Sequence, residues 1–267
     1  MKSLNMGNNP SIFAENFEAE RASHEAMKYG RMPNPQAAAH PHVYVRHSIE
    51  PPYGLYDRPI NESVWMYIRI PNILPYPHQA RMFKAMVEDK NVCAVIHRRA
   101  GKDIFSLQAW LLRGLRRIGT HVYLFPLHKQ ARSVIWQGLD FDGKPFMDAI
   151  PSALIVKKNE ARMEIELFNG SKLILAGSNN YNGLMGANPV TIIYSEFSLH
   201  NPLARQYLNP IIVQNKGKEI LQFTPRGMNH AYEAYTQVRD LPDYHVEHLS
   251  VDQTFKHDGV TPIITCI

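Results

Sequence analysis

The residues best suited to chemistry lie in a short turn, HRRAGKD at positions 97–103. A glycine followed directly by a lysine, between a strand and a helix, can hold phosphate. Backbone N–H groups and the helix N-terminus face the anion, and the lysine reaches the β- and γ-phosphates. The strict phosphate-loop pattern fails twice, since Ile96 stands at its first glycine and Asp103 at its final serine or threonine. A surface turn that carries these residue types by chance is the alternative. The residues predicted to contact nucleotide phosphate are Arg98, Arg99, Ala100, Gly101, Lys102 and Asp103.

A second apolar run, at 190–194, ends in Ser195 and Glu196. Nucleotide hydrolysis needs a strand that ends in a carboxylate beside the γ-phosphate, and an aspartate that helps to bind the metal normally precedes the glutamate. Ser195 stands in that place. Read together with Asp103, this departure indicates that a hydroxyl and a carboxylate have exchanged places between the phosphate loop and the second strand. Asp103 and Ser195 are therefore predicted to support Mg²⁺, and Glu196 to orient or deprotonate the attacking water. Two unrelated polar strand ends are the alternative.

The elements that must position these residues follow from hydrophobic periodicity. Apolar residues at spacings of three and four predict helices, and short continuous apolar runs are typical of parallel strands buried on both faces. Asn169 and Gly170 between two short runs predict a hairpin. The strand–helix–strand order predicts a right-handed βαβ unit and an α/β fold with a mostly parallel central sheet. The predicted helices are 78–88 and 104–118, and the predicted strands are 92–96, 121–125, 162–168, 172–176, 190–194 and 219–223.

The composition excludes several classes of protein. Of the 267 residues, 45% are hydrophobic and 20% are charged, which excludes disorder over the whole chain. No apolar run approaches the ~20 residues of a membrane span, and the N-terminus lacks the apolar region of a signal peptide, so we expect neither membrane insertion nor secretion. The two cysteines, Cys93 and Cys266, exclude a disulfide framework and a cysteine-rich zinc site, and they fit a reducing cytosol.

The positive charge is concentrated in one part of the chain. The formal net charge is only +5, but Asp103 is the only acidic residue in the segment 97–132, which has eight lysines and arginines. This excess fits a polyanion such as nucleotide phosphate or nucleic acid. For Arg113, Arg116 and Arg117, a solvated helix face is an equally good interpretation.

Taken in order, these motifs resemble the ATPase domain of the large terminase subunit of tailed bacteriophages, the motor that packages viral DNA. The resemblance extends from about residue 76 to residue 250. It implies an ATP- and Mg²⁺-dependent P-loop NTPase of the ASCE type, with a three-layer αβα fold. The segments that carry it are 98–103, 192–196, YPHQ at 76–79, FPLHKQA at 125–131, the glycine-rich 177–186, and FTPRGMNHAYE at 223–233.

The resemblance also assigns roles. Gln79 would contact adenine, although a glutamine on a helix surface is the plain alternative. Thr224 and Arg226 would belong to a coupling motif that senses the γ-phosphate and relays hydrolysis to DNA movement. A Pro-Gly turn that opens a helix is the alternative for that segment. The catalytic residues expected on this basis are Lys102, Glu196, Thr224 and Arg98.

The implied function is translocation of double-stranded DNA into a procapsid. The implied partners are double-stranded DNA, a homo-oligomeric ring of the same subunit, the portal protein and the small terminase subunit, in the host cell cytoplasm and without a membrane. Sequence-independent packaging needs phosphate contacts rather than base contacts, which is consistent with the basic residues. The alternatives are a helicase or other nucleic-acid-dependent ATPase, and a nucleotide-binding module that does not hydrolyse.

Two features depart from the family. Many relatives have an arginine where Met185 stands, so the arginine that stabilises transition-state charge is unassigned. Arg98 is the first candidate within the same chain, and the candidates across a subunit boundary are Arg162, Arg205 and Arg226. Large terminase subunits also continue into a nuclease domain. We expect an irregular arm over 1–70, the ATPase domain over 71–250, and over 251–267 the start of a linker to a nuclease domain found only in a longer chain.

Overall fold

The computed structural model describes residues 42–48, 63–69, 75–140, 142–256 and 259–263. The chain divides into two units, Met1–Ile73 and Leu74–Ile267, each described by itself. In the first unit, strand β1 (His42–Ser48) pairs antiparallel with strand β2 (Ser63–Arg69). The prediction of an irregular arm did not include this pair, and the rest of that arm lies outside the described residues. Residues 257–258 and 264–267 of the predicted linker lie outside them as well.

The described part of the second unit contains eight strands and six α-helices. The strands are β3 (Asn91–Ile96), β4 (Thr120–Phe125), β5 (Ile155–Asn159), β6 (Glu164–Leu167), β7 (Lys172–Gly177), β8 (Pro189–Tyr194), β9 (Lys218–Phe223) and β10 (Tyr244–Leu249). The helices are α1 (Pro77–Val87), α2 (Lys102–Arg116), α3 (His128–Ala131), α4 (Asn182–Met185), α5 (Pro202–Gln214) and α6 (His230–Val238).

All eight strands form one sheet, in the order β10-β3-β9-β8-β4-β7-β6-β5. The strands from β10 to β7 are parallel, and β6 and β5 add an antiparallel margin. The predicted α/β fold with a mostly parallel sheet is therefore confirmed. Two strands, β9 and β8, lie between β3 and β4, so the βαβ unit predicted from the sequence spans two intervening strands rather than joining neighbours.

Helices cover both faces of the sheet. On one face, α2 is buried along almost its whole length and packs against α1 through Phe83 and Phe105, whose ring centroids are 4.8 Å apart. On the other face, α5 and α6 cover a core that includes Leu208, Ile212 and Ala234. This arrangement fixes the N-terminus of α2 at the edge of the sheet where the parallel strands end.

The predicted helices and strands agree with the structure to within one or two residues at most ends. The prediction missed the strands β5 and β10 and the helices α3, α4, α5 and α6. Strand β10 (YHVEHL) lies at the margin of the sheet and mixes polar with apolar residues, so it has no continuous apolar run. Pro210 interrupts the helical pattern of α5. Within the described residues, we find no helix with the length and apolarity that a membrane crossing requires.

Candidate nucleotide site

The predicted site residues follow three neighbouring parallel strands. Lys102 lies just after the loop that follows β3, Glu196 follows β8, and Thr224 follows β9, which runs between the other two strands. Because parallel strands run in the same direction, their carboxyl ends meet at one edge of the sheet, where ligands of open α/β folds bind. The sheet therefore brings together residues that are far apart in the sequence.

The amine of Lys102 is at the centre of the site. It donates hydrogen bonds to the carbonyl of His97 at 2.8 Å, to the carbonyl of Ile96 at 3.2 Å and to the hydroxyl of Thr224 at 3.1 Å. A carboxylate oxygen of Glu196 lies 3.7 Å from the same nitrogen. Burial lowers the pKa of Lys102, and the nearby carboxylates partly oppose this shift. The amine is thus held beneath the loop, in reach of an anion bound there.

Side chains of α1 contact the backbone of the predicted phosphate loop, residues 97–103. Gln79 donates to the carbonyl of Gly101 at 2.9 Å and accepts from the backbone N–H of Tyr76 at 2.9 Å, and His78 contacts the carbonyl of Ala100 at 3.0 Å. Gly101 has φ +73, and a Cβ there would come within 2.7 Å of the Gln79 side-chain nitrogen. Gln79 is buried and already occupied by the protein in this structure, so its contact with adenine stays a prediction.

Asp103 and Ser195, predicted to have exchanged places, are in direct contact. The hydroxyl of Ser195 donates to Oδ1 of Asp103 at 3.1 Å, and the hydroxyl of Tyr123, from β4, donates to the same oxygen at 3.0 Å. A carboxylate and a hydroxyl at the foot of a phosphate loop are oxygen ligands of the kind that Mg²⁺ prefers. The described residues contain no group of three or more His, Cys, Asp or Glu side chains that could hold a metal ion, at this site or at any other, so the pair offers only two protein ligands. The donor set therefore fits a magnesium ion that takes its other ligands from phosphate and water.

Glu196 lies in a strained turn. Its backbone is left-handed, with φ 53 and ψ 50, a conformation that costs a residue with a side chain about 1–2 kcal/mol. Side chains hold the carbonyls on either side, because Nε2 of His200 contacts the carbonyl of Ser195 at 2.6 Å and Nε2 of His230 contacts that of Phe197 at 2.8 Å. Burial lowers the pKa of His200 to about 4, so it holds the turn as a neutral ring. The strain accompanies a carboxylate aimed at Lys102.

The segment after β9 is hydrogen-bonded to this turn. The hydroxyl of Ser198 donates to the carbonyl of Thr224 at 3.2 Å, and Asn229 donates to the carbonyl of Ser198 at 3.2 Å. The side chain of Asn229 also caps α6. Between these contacts, Arg226 is exposed and Gly227 has φ +68. The Thr224 segment and the Glu196 turn are therefore joined by side-chain contacts at both ends.

The candidate arginines are placed differently. Arg98 and Arg99 are exposed on the phosphate loop, and Arg162 and Arg226 are exposed elsewhere. Arg205 instead makes two hydrogen bonds, of 3.0 and 2.6 Å, to the buried carboxylate of Glu219. This pairing argues against Arg205 as a donor to a neighbouring subunit.

Sequence reasoning missed several residues of the site. Three side chains contact residues of the site without having been predicted to do so: Tyr123, His78 and His200. Tyr123 and His78 lie in elements that were predicted from their apolar neighbours, and His200 lies in a loop. The one available signal was a polar group within a continuous apolar run. The tyrosine hydroxyl in THVYLF needs a partner once the strand is buried.

The fold and the site define a P-loop-like α/β domain, with its phosphate loop between β3 and α2. No protein-family model matches the chain, and no curated protein sequence matches it. Solved structures similar to the chain include a phage large terminase ATPase domain and a phage large terminase.

The ATPase domain of the large terminase of Thermus phage P74-26 matches with a TM-score of 0.50 and 16% identity, covering 61% of this chain and 76% of that domain. An arginine-to-alanine variant of the same domain gives a TM-score of 0.50 and 14% identity, covering 61% of this chain and 77% of the other. A large terminase from a thermophilic bacteriophage gives 0.48 and 15% identity, and the match spans 61% of this chain but only 41% of that protein. At these identities the likeness to the P74-26 domain establishes a shared fold.

Proposed function

We propose that this chain is the ATP-hydrolysing motor domain of a phage large terminase subunit, and that it translocates double-stranded DNA into a procapsid. The observation that carries the proposal is the convergence of Lys102, Glu196 and the Asp103–Ser195 pair at one edge of the sheet. The shared fold with a large terminase ATPase domain supports it.

In this proposal each residue has a definite task. Lys102, Arg98, Arg99 and the loop amides bind the phosphates, and Asp103 with Ser195 holds Mg²⁺, which neutralises phosphate charge when bound. Glu196 accepts a proton from the attacking water or orients it. Its distance of 3.7 Å from Lys102 supports a position beside the terminal phosphate.

Coupling to DNA movement is assigned to Thr224 and Arg226. The hydrogen bonds from Ser198 to Thr224 and from Asn229 to Ser198 support this assignment. A shift of the Glu196 turn would displace Thr224 and Asn229, and Arg226 lies between them in the sequence. Gln79 is proposed to contact adenine after exchanging a protein partner for the base. The charge-stabilising arginine is Arg98 in the same chain, or Arg162 or Arg226 from a neighbouring subunit.

The motor is proposed to work in the host cytoplasm as a homo-oligomeric ring on duplex DNA. Its proposed protein partners are the portal protein and the small terminase subunit. Contacts to phosphates rather than to bases suit a motor that must move any sequence.

The test measures ATP hydrolysis with and without duplex DNA for wild type, Glu196→Gln and the matched control Glu164→Gln on β6. We expect Glu196→Gln to lose roughly 10²- to 10⁴-fold in turnover, because the carboxylate acts on water, and to keep its affinity for ATP. The control should behave as wild type.

Other results would overturn the proposal in distinct ways. Strand separation of the duplex would indicate a helicase. Tight ATP binding without any turnover, in the assembled ring as well as in the isolated chain, would indicate a binding module. Absence of ATP binding would remove the proposal altogether.

A further inference from the structure

The two hydrogen bonds that Asp103 receives end on the same oxygen. Tyr123 donates to Oδ1 at 3.0 Å and Ser195 donates to Oδ1 at 3.1 Å, and no other side-chain bond to this carboxylate is found within the described residues. A carboxylate has two oxygens with about four acceptor positions. Oδ2 is therefore left for another ligand.

Tyr123 is unusual in this arrangement because no phosphate-loop pattern includes it. It lies in the middle of β4, is fully buried, and packs between Trp110 and Phe125 with ring centroids 6.1 and 4.8 Å away. A buried hydroxyl requires an acceptor. The carboxylate of Asp103 supplies that acceptor, so the hydroxyl of Tyr123 is the donor in this contact.

We propose that Tyr123 is a positioning residue for the metal–nucleotide site, and this inference rests on the proposed function. Its hydroxyl holds Oδ1 of Asp103, and Oδ2 would then be the oxygen available to Mg²⁺. Ser195 alone would orient the carboxylate less well, because the oxygen of Ser195 is itself the second proposed Mg²⁺ ligand. Two donors on one oxygen leave the carboxylate a single orientation, which removes an entropic cost of metal binding.

The test uses Tyr123→Phe, which removes only the hydroxyl and keeps the aromatic packing. The matched control is Tyr194→Phe, an equally buried tyrosine on the adjacent strand β8 that belongs to the core cluster on the opposite face. Affinity for a fluorescent ATP analogue is measured over a Mg²⁺ titration and again in EDTA. Urea unfolding of each variant verifies that it is folded.

We expect Tyr123→Phe to need about tenfold more Mg²⁺ at the titration midpoint, since a hydrogen bond to a charged group is worth about one order of magnitude in affinity. Its affinity for the analogue in EDTA should equal that of wild type. Turnover at saturating Mg²⁺ should recover towards the wild-type value. Tyr194→Phe should show none of these changes.

A second variant keeps the inference open to refutation if Tyr123→Phe loses stability. Asp103→Asn removes the charged oxygen, and in that background the further change Tyr123→Phe should not move the Mg²⁺ midpoint. Equal shifts in both backgrounds would show that the hydroxyl does not act through Asp103, and would overturn the inference.

The outcomes separate this inference from the proposed function. A wild-type chain that does not bind the analogue overturns both. A wild-type chain whose binding depends on Mg²⁺, with an identical midpoint in Tyr123→Phe, overturns the inference and leaves the proposed function standing.

Discussion

The amine of Lys102 donates a hydrogen bond of 3.1 Å to the hydroxyl of Thr224, across the boundary between two strands. Thr224 follows β9, which lies between β3 and β8 in the sheet. Strand β3 leads into the loop before Lys102, and Glu196 follows β8. A single threonine therefore contacts Lys102, and its carbonyl accepts a bond from Ser198 in the Glu196 turn. Thr224 is therefore in direct contact with the lysine that we propose to bind the nucleotide phosphates.

Thr224→Val keeps the shape of the side chain and removes the hydroxyl. We expect turnover to fall by about tenfold or more, because a hydrogen bond to a charged group contributes roughly 1.5–3 kcal/mol. Affinity for ATP should change little, since two carbonyls still hold Lys102. Thr224→Ser should restore turnover, and Thr191→Val, at a buried site near the other end of β8, should leave it unchanged. An equal loss of affinity and turnover in Thr224→Val would contradict this role.

Gly101→Ala tests how tightly the phosphate loop packs on α1. A Cβ at Gly101 would come 2.7 Å from the nitrogen of Gln79 and 3.2 Å from the ring of Tyr76, and φ is +73. Gln79 cannot withdraw without losing its bonds to the loop. We expect the free energy of unfolding to fall by at least about 2 kcal/mol, in part from the left-handed backbone.

The control for this variant is Gly143→Ala, which shares the backbone conformation, with φ +76, but has nothing within 4 Å of the new Cβ. It should lose only about 1 kcal/mol, the cost of the backbone itself. Chemical unfolding of both variants measures the difference. Equal losses would mean that the contact with Gln79 is not a constraint.

The convergence of the site could be predicted from the sequence because parallel strands fix it. Asp103 and Ser195 are 92 residues apart, yet once both are placed at the carboxyl ends of parallel strands, they must lie at the same edge. Asp103 departs from the phosphate-loop pattern and Ser195 from the usual acidic strand end, and at one edge of the sheet each can replace the group that the other lacks. The physical requirement for one carboxylate and one hydroxyl carried the prediction.

What could not be predicted depends on strand order and on side-chain packing. Nothing in the sequence placed β9 between β3 and β8, so the bond between Lys102 and Thr224 was not foreseen. The sequence does not distinguish Tyr123 from an ordinary core residue, and it does not predict that Gln79 bonds to the carbonyl of Gly101, because which acceptor a buried donor reaches depends on the tertiary fold. The pairing of Arg205 with Glu219, which argues against its role across a subunit boundary, could not be predicted for the same reason.

Arg205→Ala should act on stability rather than on catalysis. Its guanidinium pairs with Glu219, whose side chain is only 3% exposed, and removing it leaves a buried carboxylate without its countercharge. We expect a loss of about 3–5 kcal/mol in the free energy of unfolding, measured by urea. The exposed Arg162→Ala and Arg226→Ala should change it by less than about 0.5 kcal/mol. A stable Arg205→Ala chain that loses turnover only in the assembled ring would instead restore Arg205 as a donor across the subunit boundary.

Three buried histidines predict a pronounced loss of stability in acid. Burial lowers the pKa of His78, His121 and His200 to about 4 each, from an ordinary value of 6.5. Between these two values the unfolded chain binds protons that the folded chain cannot, so the free energy of unfolding falls as the pH falls from 6.5 towards 4. Near pH 5 each histidine accounts for a loss on the order of 2 kcal/mol.

His121 allows the cleanest measurement, because it is buried beside α2 and its ring contacts the carbonyl of Arg117 at 2.8 Å, at the end of that helix opposite the phosphate loop. His121→Gln should destabilise the chain at neutral pH through the lost packing, but its free energy of unfolding should fall less steeply between about pH 7 and about pH 5, by roughly a third of the histidine contribution. The exposed His128→Gln serves as the control and should keep the wild-type slope. Urea unfolding at both pH values gives the slopes directly. If His121→Gln and wild type lose the same free energy on acidification, then His121 takes up a proton in the folded chain as readily as in the unfolded one, and burial does not hold it neutral.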